Sequence, residues 1–69
     1  MRITYDPNVD AMNIHFQKGK YDTSEEVADG VIVDTTKNGK IISIEILDAS
    51  KRMPKQSIQD VTVGIPMKV

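Results

Sequence analysis

The sequence predicts a mainly β domain, on the border of α+β: a small antiparallel sheet of four to five strands built from hairpins, with a short helical element near residues 48–60. Three observations predict it. Val31-Ile32-Val33 and Ile41-Ile42-Ser43-Ile44-Glu45-Ile46-Leu47 are β-branched runs flanking Lys37-Asn38-Gly39-Lys40, a strong short-range hairpin signal. Met12-Asn13-Ile14-His15-Phe16-Gln17 alternates apolar and polar residues with a strict period of two. Arg2 to Tyr5 alternates in the same way, which supplies that segment with a partner strand.

Taken in order, Ile3 and Tyr5 share one face of the first strand, and Asp6-Pro7-Asn8-Val9-Asp10 forms the turn that ends it. Met12, Ile14 and Phe16 then point one way, Asn13, His15 and Gln17 the other, and Lys18-Gly19-Lys20 closes the strand. Tyr21 to Ala28 lacks alternation and reads as an irregular or extended connection, stopped by Asp29-Gly30. The two β-branched runs form the second hairpin through an Asn-Gly type I′ turn. Asp48 or Ser50 is placed to cap one helical turn before Pro54, and a second short helix can start at Pro54. Val61-Thr62-Val63-Gly64-Ile65 reads as a last strand, ended by Pro66.

Sixty-nine residues make one domain, 1–69, whose core is small. With no cysteine and one histidine, disulfides and thiolate or histidine-rich metal sites are excluded, which leaves oligomerisation, as a homodimer, or a hard cation as the staple. Nine basic and ten acidic side chains give a net charge of −1, which argues against direct nucleic-acid binding. No run reaches membrane-spanning length and the start has no signal-peptide core, so a cytoplasmic protein is expected.

Tyr5-Asp6-Pro7, Asp10-Ala11, Met12-Ile14-Phe16, Asp29-Gly30-Val31-Ile32-Val33-Asp34, Gly39 and Ile44-Glu45-Ile46-Leu47-Asp48-Ala49-Ser50-Lys51 follow one another in an order that resembles the small prokaryotic domain-of-unknown-function family 2283. The resemblance covers residues 1 to about 53, and Thr36 departs from the acidic residue expected there. It implies a stand-alone β-rich domain of bacterial and archaeal cytoplasm with no assigned activity and no catalytic residues to carry over. It also implies an antitoxin-like role, as partner of a small neighbouring protein.

Four groups of residues are candidate sites. Ile32, Ile41 and Leu47 are apolar residues on the second sheet face, the expected dimer or partner interface unless the tail from Met53 to Ile65 covers them. Asp34, Thr36, Asn38 and Glu45, with Gly39 between, match the ligand spacing of a calcium loop, since calcium needs several hard oxygens around one point. A regular strand from Ile41 carries Glu45 away from the turn, which favours a plain hairpin. Ser50, Lys51 and Arg52, with Lys55, form a small basic cluster suited to an anion. His15, Asp29, Glu45 and Asp48 are the titratable groups from which acid–base chemistry would be built, and the sequence assembles them into no catalytic constellation. The sequence thus favours a non-catalytic interaction module, with a calcium- or anion-binding loop as the second reading.

Overall fold

The computed structural model describes residues 1–62. Along the chain run β1 (Arg2–Asp6), β2 (Ala11–His15), β3 (Thr23–Ala28), β4 (Val31–Thr35), β5 (Ile41–Leu47), α1 (Ala49–Arg52) and α2 (Lys55–Thr62). All five strands form one antiparallel sheet in the order β1-β2-β5-β4-β3. The expected mainly β fold is therefore found, but it is not a simple meander. The chain leaves central β2 for the far edge at β3, then returns through β4 until β5 lies beside β2.

Register sorts the side chains into two faces, because directly opposed residues point the same way. Ile3, Ile14, Ile44 and Val33 form one apolar row, and Tyr5, Met12, Ile46 and Val31 form the next on that face. The second face carries Arg2, His15, Ser43, Asp34 and Ser24 in one row and Thr4, Asn13, Glu45, Ile32 and Glu26 in the other. Among the described residues the buried apolar side chains are Met12, Ile42 and Ala49. α2 packs on β1 and against α1.

Ile42 owes its burial to two devices. A register shift between Asp34 and Thr35 makes it the extra residue of a bulge. The segment 16–22 then folds over it: Phe16 N–H donates to the Ile42 carbonyl at 2.8 Å and Gln17 Nε2 to that of Ile41 at 2.8 Å. Gly19 lies so close that a Cβ there would stand 3.3 Å from Ile42 Cδ1.

Four expectations need correction. Thr23–Ala28, expected as an irregular or extended connection, is extended but paired as an edge strand; all six of its residues are exposed, so it has no apolar face to alternate. The second hairpin turns through three residues, Lys37-Asn38-Gly39, closed by Gly39 N–H to the Thr36 carbonyl at 2.9 Å. Only Gly39 has positive φ there, so the turn is not type I′ but a turn followed by a left-handed glycine. Val61 and Thr62 belong to α2, where Ile58 and Val61 stand one turn apart; Val63 to Ile65 of the expected last strand lie outside the described residues. Neither Asp48 nor Ser50 caps α1 through its side chain. Among the described residues no helix is long and apolar enough to cross a membrane.

Candidate functional site

The densest polar contacts lie at the corner where β1, β2 and α1 meet. Asp10 holds φ of 53°, a left-handed conformation that aspartate tolerates better than most residues. From there its carbonyl accepts from Ala49 N–H at 3.0 Å. Its carboxylate accepts from the Ser50 hydroxyl at 2.7 Å, the Ser50 N–H at 3.1 Å and the Tyr5 hydroxyl at 2.7 Å. Asp10 is thus the N-terminal cap of α1, supplied across 40 positions of sequence. The Ser50 hydroxyl, then that of Tyr5, hold its carboxyl below the usual carboxylate range. Reciprocally, the bond to Asp10, then burial, push the Tyr5 hydroxyl above its usual range. Asp6 completes the corner by accepting from Asn8 N–H at 2.9 Å, an Asx turn.

A second polar group crosses the sheet. Asp34 is 9% exposed and Ser43 1%. The Ser43 hydroxyl donates to one Asp34 oxygen at 2.7 Å and the Ser24 hydroxyl donates to the other. His15 stands opposite Ser43 in register, with Arg2 opposite His15. Both Asp34 oxygens face hydroxyl donors, an arrangement that satisfies a buried carboxylate.

The calcium-loop residues do not converge. Asp34 points onto the second face, while Thr36 uses its hydroxyl to accept from Lys40 N–H at 3.1 Å and Asn38 stands exposed at the hairpin tip. Glu45 is two positions along β5 from Ser43, opposite Ile32. Among the described residues no group of three or more His, Asp or Glu side chains is placed to hold a metal ion. Millimolar calcium is accordingly expected to leave the thermal midpoint unchanged in a melting scan; a rise that Asp34→Ala removes would reinstate the loop.

The basic cluster is engaged from within the chain. Ser50 gives its N–H and hydroxyl to the Asp10 carboxylate, and the Arg52 guanidinium donates to the Asp29 carbonyl. The titratable candidates are separated: His15 ends β2, whereas Asp29 and Asp48 lie in turns at the opposite end of the sheet. Of the expected interface, Ile32 and Leu47 sit part-exposed near each other on the second face. Ile41, 45% exposed, begins β5 roughly 20 Å away by strand rise. The larger apolar surface is the first face. Ile14, Ile44, Ile46, Val31 and Val33 all remain part-exposed there.

The motif residues fall into this geometry. Tyr5, Asp6, Asp10, Asp48, Ala49 and Ser50 come from two stretches of sequence, joined by the Asp10–Ser50 bond across 40 positions, and build one corner. Their shared task is to dock α1, with Ala49 fully buried. No curated protein and no solved structure matches the chain. The family model described as "Protein of unknown function (DUF2283)" matches residues 2–50, from β1 to the first turn of α1. The chain therefore belongs to the DUF2283 family of proteins of unknown function.

Proposed function

We propose that the chain is a non-catalytic protein-interaction module that works through its apolar sheet face, and that the first occupant of that face is a second copy. The observation that carries this is the burial pattern. With α2 packed on β1, the central residues Ile14, Ile44, Ile46, Val31 and Val33 are still part-exposed. Among the described residues only three apolar side chains are buried, a small core for a chain whose ordering costs roughly 1.5 kcal/mol per residue. A flat apolar face can pair with its own image about a two-fold axis, which adds burial to both copies.

The sheet edges are poor competitors for that role. β3 carries Glu25 and Glu26 and is irregular between Glu26 and Ala28, devices that discourage strand addition. The opposite edge, β1, is packed by α2. A small protein encoded nearby, as in an antitoxin pair, would use the same face in place of the second copy.

Sedimentation equilibrium over a wide dilution series tests the reading. The expected result is a dimer that dissociates on dilution and becomes monomeric in Val33→Glu, with circular dichroism showing that the variant stays folded. A wild-type monomer at every concentration overturns the homodimer. The melting temperature should also rise with protein concentration, because a dimer interface stabilises only the folded state.

A further inference from the structure

We propose that the end of the sheet opposite α1 binds single-stranded nucleic acid, a function independent of the apolar face. The net charge of −1 hides a cluster of cations at one end of the sheet. At the α1 end the charges are mixed: Asp6, Asp10, Asp29 and Asp48 lie in or beside the turns, together with Lys51 and Arg52 of α1. Arg2, Lys18, Lys20, Lys37 and Lys40 all lie at the other, where β1 and β5 begin and β2 and β4 finish. Among the described residues that end holds two carboxylates, Asp22 and Asp34, and Asp34 is 9% exposed with both oxygens occupied by serine hydroxyls. A count over the whole chain therefore argues against nucleic acid, while the placement of the charges argues for it.

Two concavities shape this end, on either side of Gly19. One, of about 330 Å³, is lined by Arg2, His15, Phe16, Gln17 and Lys18. The other, of about 430 Å³, is lined by Lys20, Tyr21, Asp22, Thr36 and Lys37. Each combines two cationic side chains with one aromatic ring, and both rings are open: Phe16 is 41% exposed and Tyr21 62%. A cation pair beside an open ring is what a nucleotide requires, since the phosphate takes the charge and the base stacks. A duplex hides its base faces, so the rings select a single strand.

The surface is held in place. Phe16 N–H donates to Ile42, Asp22 N–H donates to the Thr35 carbonyl at 2.9 Å, and Gly19 packs on Ile42 and Thr36 between them. Both concavities are therefore built on one segment, 16–22, that is hydrogen-bonded to the sheet at each end. An acidic peptide would engage the same cations and leave the rings idle.

Fluorescence anisotropy of the purified chain with labelled oligouridylate of about ten nucleotides tests the proposal. Binding is expected at low salt, with log affinity falling against log salt at a slope of about −3 if four cations meet phosphates. Lys18→Ala/Lys20→Ala should flatten that slope to about −1.4. Tyr21→Ala should weaken binding roughly five- to a hundred-fold with the slope unchanged. All three side chains are exposed, so unchanged melting curves are expected to accompany these losses. Absence of binding at low salt overturns the proposal. So does equal affinity for duplex, or displacement by polyglutamate together with an inert Tyr21→Ala, which would mark an acidic-protein surface. Retained binding by monomeric Val33→Glu separates this function from the sheet-face interface.

Discussion

Ile42→Ala is expected to destabilise the protein by about 3 kcal/mol, the cost of emptying a fully buried isoleucine site. For a chain of this length total stability is roughly 3–10 kcal/mol, so the variant sits near the unfolding threshold. The thermal midpoint should fall by about 15 °C. The effect is large because Ile42 is held on all sides: by the bulge, by the main chain of Phe16 and by Gly19. None of these can follow a shrinking side chain, so the cavity persists. Ile41→Ala is the control, since Ile41 is 45% exposed and its truncation should cost far less. Urea unfolding of both variants at one fixed protein concentration makes the comparison. Equal losses would mean that the 16–22 segment does not cover Ile42 in solution.

How much was legible in the sequence depends on how local each determinant is. Both hairpins are legible because their signals are local: alternation over five or six positions in the first, β-branched runs flanking Asn-Gly in the second. β3 is not, because Thr-Ser-Glu-Glu-Val-Ala is an edge strand exposed on both sides, and without burial there is no period to detect. The Asn-Gly dipeptide signalled a hairpin correctly but not its turn, since Thr36 takes part in the closing bonds and lengthens the loop to three residues. Val61-Thr62-Val63 looked like strand on propensity, yet Val61 and Thr62 lie in α2, where packing on β1 outweighs a preference worth tenths of a kcal/mol per residue. Asp10 was read as part of a turn, and nothing within the turn reveals a partner at Ser50. The basic end is illegible for a related reason: its five cations come from three separate segments that only the sheet brings together.

The Asp10 corner makes the second large expected effect, one that pH reveals. Asp10→Ala removes both acceptors of α1's first turn, leaves the Tyr5 hydroxyl without its partner, and puts alanine at a φ of 53°. A fall of roughly 5–10 °C in thermal midpoint is expected from lost capping and backbone strain together. Asp10→Asn separates charge from shape, because asparagine tolerates the left-handed conformation and keeps one oxygen acceptor. The folded-state carboxyl of Asp10 titrates below its unfolded value, so its contribution is present above the ordinary carboxylate pKa and is lost as pH falls through the depressed one. Tyr5 runs the other way: its raised value gives stability that is complete below the ordinary tyrosine pKa and lost as pH rises through the folded one. The corner is therefore strongest across the whole neutral range and weakens at both extremes. Wild type should lose stability on acidification more steeply than Asp10→Asn, and the two melting curves should draw together below pH about 4. Parallel acid limbs in the two proteins would show that Asp10 is not held as a carboxylate by Ser50 and Tyr5. Convergence would identify the motif residues around it as the clamp that docks α1 onto the sheet, a structural task that leaves the apolar face and the basic end free for partners.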